Sequence, residues 1–419
     1  MAETLVASRL TTNKAEAIGS MKVIGIGDAG CNIINQTIYK GLTGVDFINI
    51  NTDAQTLALS EAPTRILLGE KLATGLGVGG DPKLAFKAAE ESRHTIENAV
   101  FGADVVLIVA GMGGATGTGA TPVIAEIAKE SGSLTIALIT EPFSFEGEHR
   151  VEVAKEGIQR LSTGVDTLVI IRNDLLLRSG DTTRSVDNIF TVVNEILLRG
   201  VRAIYEATVS IPGLIKLDFA DIRSVLKDAG PARISFGKGS GENRAVNAAK
   251  SALSSPLMDI PVNEAKCLLF NITGGQSLTL FECNEAAQVI SHAVAPDATI
   301  VFGVAFDPAM NNEVDVTIIA AGLSRQYAYE LLGLEGLLTE IIEFQEAKAF
   351  FEANRRKLLD KYEGKYIAIL NRGIIDADDD FSLLAERVYS RYGYKDIYLP
   401  KVERKRTILH VPTPQVKKR

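Results

Sequence analysis

The sequence predicts an α/β protein: a parallel-sheet domain joined by a long central helix to a smaller α+β domain, plus a small C-terminal α/β module. Three observations lead there. Short apolar runs alternate with amphipathic stretches from residue 21 to about 180, two glycine-rich loops follow two of those runs, and a long apolar stripe precedes a second set of strands. Strands alternating with helices imply a parallel sheet covered on both faces.

In chain order, residues 1–20 form an N-terminal extension. MKVIGIG, VDFININ, ADVVLIVAG, LTIALIT and DTLVII read as buried strands of a domain over 21–181, with helical patterns such as 120–131 and 148–161 between them. The segment 182–221 holds the central helix and a loop; Val186, Ile189, Val193, Ile196, Gly200 and Ile204 step by three and four, the stripe of a buried connecting helix. Residues 222–323 read as the second domain, with a helix in ENRAVNAAKSALSS and strands in KCLLFNITG, LTLFEC, ATIVFGVAF and EVDVTIIAAGL. A linker or helix over 324–344 leads to a module at 345–400: a charged helix (about 345–362), a strand KYIAILN, a turn near Asp376–Asp380, a helix FSLLAERVYSRYG and a strand DIYLPKV. A tail at 401–419 carries seven Lys/Arg against one Glu.

The first strand runs into Gly25-Ile26-Gly27-Asp28-Ala29-Gly30-Cys31-Asn32, a GxGxxG opening a helix, with Asp53 after the next strand. Alone, this pattern fits a dinucleotide fold as well as any other phosphate site. The second loop, Gly111-Met112-Gly113-Gly114-Ala115-Thr116-Gly117-Thr118-Gly119, precedes a helix read as beginning near Pro122. Glycines let the backbone approach a ligand, and freed N–H groups at a helix start attract phosphate. A dehydrogenase needs one such loop; two at successive strand ends suit a triphosphate. No Gly-Lys-Ser/Thr follows, which excludes a Walker-type loop.

GMGGATGTG resembles the signature loop of the tubulin/FtsZ family, with Ala115 where the bacterial form has glycine. The resemblance continues in order through NTDAQTL (51–57), GLGVGGDP (75–82), TEPFSFEGEHR (140–150), IIRNDLLL (170–177), GLIKLDFADIR (213–223), SSPLMDI (254–260) and DPAMNNEVDVTIIAAGL (307–323). It identifies a divergent member with an atypical C-terminal module. The resemblance implies a GTPase that binds GTP or GDP and assembles head to tail with itself. It assigns the phosphates to Gly27–Asn32 and Gly113–Gly119, with Asp28 to Asn32 and Ala115 to Gly117 lining them. Glu146 and Arg150 take the ribose and phosphate region, where an Arg suits phosphate and a Glu a ribose hydroxyl; charges at a helix start also account for this pair. Asn173 takes the ribose side, and Phe190 and Asn194 the guanine. Asp218 and Asp221 enter the neighbouring subunit's site to orient or polarise the attacking water, with Mg²⁺ held mainly through phosphates and no protein metal site. Without the resemblance, DFAD reads as a solvated loop or helix cap.

Three residues depart from the family pattern. Asp28 replaces a glycine; it repels phosphate, helps hold a cation, or caps the following helix, and the cap is the preferred reading. Ala115 requires a backbone outside the left-handed region. Lys216 replaces an asparagine in the interface loop, where it stabilises γ-phosphate charge or pairs with Asp218 or Asp221 and slows hydrolysis. The basic tail suits anionic lipid, at roughly 1 kcal/mol per basic residue near a charged surface, or an acidic adaptor, and equally reads as solvated. A net charge of −8 argues against a nucleic-acid partner, and no apolar run approaches the roughly 20 residues that cross a bilayer. Cys31, Cys267 and Cys283 fit neither a disulfide framework nor a metal site, so the cytoplasm is the expected compartment, and the resemblance implies a mid-cell ring within it. The leading reading is a GTP-driven division-ring polymer; the alternatives are a structural paralogue that hydrolyses GTP poorly and a nicotinamide dehydrogenase.

Overall fold

The computed structural model describes residues 20–177, 186–208, 213–215, 219–323, 327–328, 332, 335–370, 373–392 and 397–403. The chain divides into two compact units, Met1–Gly333 and Leu334–Arg419. No described helix is long and apolar enough to cross a membrane.

In the first unit, strands β1 (Met21–Ile26), β2 (Asp46–Asn51), β3 (Thr64–Leu67), β4 (Val105–Gly111), β5 (Leu134–Glu141) and β6 (Thr167–Arg172) lie parallel in the order β3-β2-β1-β4-β5-β6. Ile24, Ile108 and Ala137 face one side, under helices α3 (Pro82–Glu91), α4 (Arg93–Val100), α5 (Ala115–Glu130) and α6 (Glu148–Gly164). Val23, Leu107 and Leu138 face the other, under α1 (Gly27–Tyr39), α8 (Val186–Thr208) and α9 (Phe219–Leu226). Both faces are buried, so the strands read as continuous apolar runs rather than alternating ones.

Helix α8 buries Val193, Ile196, Leu197, Val201 and Ile204. At Gly200 a Cβ would stand 2.7 Å from Leu138, so the glycine lets the helix axis lie close on β5. Beyond α8 a second, mixed array continues the same sheet: β8 (Gly230–Ser240), β11 (Glu313–Leu323), β9 (Ala265–Gly274), β10 (Thr299–Phe306) and β7 (Gly213–Ile215), joined where Thr167–Val169 of β6 pairs with Gly230–Ala232 of β8. Helices α10 (Arg244–Leu253) and α11 (Leu280–Ala293) cover it.

LTLFEC, expected as a strand, instead opens α11. Thr279 accepts from the Glu282 N–H while the Glu282 carboxylate accepts from the Thr279 N–H, a capping box that sets a helix start despite the apolar run. Helix α5 likewise begins at Ala115, not near Pro122. Gly114 is its N-cap and Pro122 lies inside it.

The second unit is a small α/β module. Helix α12 (Glu335–Tyr362) packs on one face of β12 (Tyr366–Leu370), around Phe351, Ile367 and Ile369. Helix α13 (Phe381–Tyr392) packs on the other, around Ala368, Leu384 and Val388. Strand β13 (Gly373–Asp378) flanks β12 on one edge. On the other edge, Ile369 N–H donates to Tyr398 O at 3.0 Å and Val402 N–H to Lys365 O at 2.9 Å, so the described part of DIYLPKV, residues 397–402, meets β12 through isolated bridges rather than as the full strand expected.

Candidate functional site

The order β3-β2-β1-β4-β5-β6 reverses direction between β1 and β4. In doubly wound sheets, ligands bind beyond the carboxyl ends of the strands at such a switch point. The two glycine loops leave the carboxyl ends of β1 and β4.

The loops touch. Gly27 has φ +69, and a Cβ there would lie 3.1 Å from the Gly117 nitrogen. A Cβ on Gly30 would stand 2.3 Å from Val109 O, and one on Gly117 2.3 Å from Gly111 O. Only glycine permits these approaches, which bring the N-termini of α1 and α5 together. The Thr52 and Thr116 hydroxyls meet at 2.8 Å across the join. Gly113 has φ +97 and sits against Pro142 and the Arg150 carbonyl, so the 142–150 segment borders the second loop.

Not every residue of the motifs faces this cleft with its side chain. The Thr118 hydroxyl accepts from Gly113 N–H at 2.8 Å, and Gly119 is pressed on Pro82, where a Cβ would lie 2.1 Å from the carbonyl oxygen. Both shape the loop. Cys31 is buried, and burial, reinforced by the nearby Asp28 charge, pushes its thiol up to about 12. Ala115 has a right-handed backbone as the first residue of α5, and its methyl packs against the small cluster of Ala73, Val78 and Ala85. Asp28 does not cap α1. The N-cap is Ile26, and the Asp28 carboxylate oxygen Oδ1 accepts from Asn51 Nδ2 at 2.8 Å and Thr56 Oγ1 at 3.3 Å. As the second helical residue it is already past the N-cap position. Ala29 lies under Gly111, and Asn32 is exposed.

Glu146 and Arg150 form an ion pair at 2.6 Å, and Glu146 also accepts from Phe143 N–H at 2.9 Å. Buried Phe143 meets the edge of Phe190 at 5.5 Å between centroids and stacks on Phe145 at 4.9 Å. Phe190 is 40% exposed, unusual for a helix whose neighbouring apolar residues are buried, and Asn194 stands half-buried one turn further on. Sequence reading missed Phe143 and Phe145; the aromatic pair in PFSF was the available signal. Asn173 opens a short helix (α7, Asn173–Leu177) at the carboxyl end of β6, buried, and its Oδ1 has no hydrogen-bond partner among the described residues. A buried acceptor without a donor is costly, and a ligand hydroxyl would satisfy it.

Beneath this wall, burial pushes the Glu141 carboxyl up, and Arg172 and Arg233 oppose that rise. Arg172 lies 3.0 Å from Asp259, which also holds the fully buried Arg233.

Asp221 is exposed in the first turn of α9, far from this chain's own loops. Arg223 donates to Gly132 O and Thr167 to Leu226 O. Gly132 and Thr167 sit at the amino ends of β5 and β6, so α9 is anchored at the end of the sheet opposite the glycine loops. A strand of six or seven residues spans about 20 Å. Lys216, Asp218 and residues 404–419 lie outside the described residues.

Fold and cleft together define a doubly wound α/β protein in which two glycine loops and the helix N-termini that follow them meet at the switch point of the sheet. Residues 20–181 match the tubulin/FtsZ family GTPase domain, residues 230–324 the FtsZ family C-terminal domain, and residues 357–405 a family of unknown function. A solved dimer of FtsZ from M. jannaschii is 39% identical, with a TM-score of 0.71 over 74% of this chain and 89% of that one. The chain belongs to the tubulin/FtsZ family. The GDP-bound monomer of CetZ1 from Haloferax volcanii shares the fold at 22% identity, with a TM-score of 0.65 over 76% of this chain and 99% of that one. The GTPγS-bound protofilament of CetZ2 from the same organism does so at 20% identity, with a TM-score of 0.62 over 75% and 96%.

Proposed function

We propose that this chain binds GTP across the two glycine loops, assembles head to tail, and hydrolyses GTP where one subunit's α9 meets the next subunit's cleft. The observation that carries this reading is the placement of α9. Asp221 stands at the opposite end of the sheet from its own loops, so within one chain it reaches no γ-phosphate; a second copy stacked end to end supplies it. The neighbours titled as a dimer and as a protofilament accord with this stacking.

In the bound state, backbone N–H groups of Gly27–Asn32 and Gly113–Gly117 hold the phosphates, Asn173 and Glu146 the ribose, Arg150 the phosphate region, and Phe190 and Asn194 the base. Binding needs Arg150 to exchange its ion pair with Glu146 for phosphate, a modest rearrangement on the Arg150 side, whose side chain is 56% exposed against 16% for Glu146. Asp218 and Asp221 of the adjoining subunit then orient a water for attack on the γ-phosphorus. The bond to the bridging oxygen breaks, GDP leaves, and the water's proton passes to a carboxylate. No cluster of three or more metal-ligating side chains exists among the described residues, while Asp28 places one carboxylate beside the phosphate loops. That donor set fits Mg²⁺ held mainly by phosphate oxygens, with Asp28 at its edge, where the ion would offset phosphate charge.

A cytoplasmic division ring at mid-cell, tethered through the basic tail by an adaptor or anionic lipid, extends this proposal. It rests on the relatives' names and on the tail's composition. A second reading, a structural paralogue with slow turnover, is favoured by Lys216 beside the acidic pair in the interface loop. GTP hydrolysis and light scattering against protein concentration, with Mg²⁺, separate the two. Turnover and scattering rising together above a critical concentration mark the active polymer, and scattering with little phosphate release marks the paralogue. Lys216→Asn would then raise turnover; an unchanged rate removes Lys216 as the brake.

A further inference from the structure

We propose that Asp28 is a protein ligand of the divalent cation that accompanies the bound nucleotide, so that nucleotide affinity in this chain depends on the cation and not on the glycine loops alone. The proposal rests on the nucleotide reading above. The backbone of the cleft favours an anion: two helix N-termini converge there, and the loops offer their N–H groups. A carboxylate in the first turn of α1 opposes that design, since it repels the phosphates the loops attract.

The surroundings of Asp28 hold it in place without neutralising it. Asn51 is 1% exposed, and its Oδ1 accepts from the N–H groups of Thr52 at 2.8 Å and Asp53 at 3.2 Å. That fixes the amide so that Nδ2 points at Asp28 Oδ1, 2.8 Å away. The Thr56 hydroxyl, whose single proton is shared with Asp53 Oδ2 at 3.0 Å, lies 3.3 Å from the same oxygen. Both donors are uncharged, and no Lys or Arg among the described residues pairs with Asp28. Oδ1 is thus occupied, and no described residue donates to Oδ2.

The other acid nearby is spent. Asp53 caps helix α2 (Ala54–Ala58) through Gln55 N–H at 2.9 Å and takes Thr56 Oγ1 at 3.0 Å. Hard divalent cations such as Mg²⁺ and Mn²⁺ are held by one or two carboxylates together with substrate phosphates. Here a single aimed carboxylate, a phosphate tail and the Thr52–Thr116 hydroxyl pair at 2.8 Å supply that oxygen set.

The test compares wild type with Asp28→Asn, which keeps an oxygen for Asn51 and Thr56 while losing the charge. GDP and GTP affinities are measured by calorimetry with excess Mg²⁺ and with EDTA, and Mn²⁺ affinity of the GDP complex is measured by electron paramagnetic resonance. Wild type should lose about tenfold or more in nucleotide affinity on cation removal, and Asp28→Asn about threefold or less. Asp28→Asn should also bind Mn²⁺ about tenfold more weakly in the GDP complex and exceed wild type for nucleotide in EDTA. Equal cation dependence, or unchanged Mn²⁺ affinity, overturns the assignment while leaving GTP binding intact. Failure of the wild type to bind either nucleotide even with Mg²⁺ overturns the parent reading as well.

Discussion

Removing the Asp259 carboxylate tests how the two halves of the first unit are joined. Arg233 of β8 is 1% exposed, donates to Ile170 O at 2.7 Å and to Asp259 Oδ2 at 3.1 Å, and has its Nε 2.7 Å from Asp259 Oδ1. That Nε contact lies off the N–H axis, so it is ionic rather than a hydrogen bond. Asp259 also holds Arg172 at 3.0 Å, and Arg172 reaches Glu141 at 3.6 Å. Asp259→Ala therefore leaves one guanidinium buried and a second beside it, with Glu141 the remaining counter-charge. Breaking one partner from a buried pair costs about 3–5 kcal/mol, and Glu141 moves the expectation toward the lower end. With a urea m-value near 3 kcal/mol/M for a unit of this size, the midpoint falls by about 1 M. Far-ultraviolet circular dichroism follows the transition, since the chain has no Trp. The double variant Arg233→Met/Asp259→Leu, which removes both charges and keeps the volume, should recover to within about 1 kcal/mol of wild type. A single-variant loss below about 1 kcal/mol, or a double variant no better than the single, refutes the reasoning.

Three further outcomes are expected. Gly117→Ala places a methyl 2.3 Å from Gly111 O, whereas Gly114 has φ −87 and open space around it. Fluorescent-nucleotide titration should show Gly117→Ala weakening binding about tenfold or more, and denaturant curves should show Gly117→Ala destabilised and Gly114→Ala nearly as stable as wild type. Asp221→Ala should retain nucleotide binding and reduce single-turnover hydrolysis in assembled samples by about 10²-fold, in keeping with loss of an acid–base group; equal loss of binding would place it elsewhere. Arg244 and the Thr279 cap hold the Glu282 carboxyl down to about 2 from 4.5, so its stabilisation is full above pH 4.5 and lost as pH falls toward 2. The stability gap between wild type and Glu282→Gln, read from denaturant curves, should therefore close across that window, and a gap that persists at its acid end would be inconsistent.

The parallel strands were legible because burial on both faces leaves uninterrupted apolar runs, as in VVLIVAG. β3 was not, since its first two residues are exposed and Ile66 is the one fully buried. In α5 the glycines and Pro122 read as breakers, yet Gly117 and Gly119 are there because Gly111 and Pro82 press on the helix, a contact between distant segments that no local pattern records. The misread LTLFEC shows a four-residue cap overriding strand propensity. Asp28 was visible as an oddity, but its partners, 23 and 28 residues away, were not. Both glycine loops stood out by composition. The position of Asp221 across the sheet follows from topology, and the Arg233–Asp259 junction from pairing between elements, so neither was available in the sequence.

The compact Leu334–Arg419 unit changes what a filament of such chains would offer its surroundings. Assembly of the proposed kind repeats that module once per subunit along a line. Any target that is itself clustered, on a surface or in another polymer, then meets many copies at once, and each engagement after the first is intramolecular. A millimolar module–target affinity, negligible for a free subunit, becomes firm attachment when several act together, by about 10²–10⁴-fold for even a linked pair. Nucleotide state would thereby govern attachment without touching the module, because it sets how many copies are held side by side.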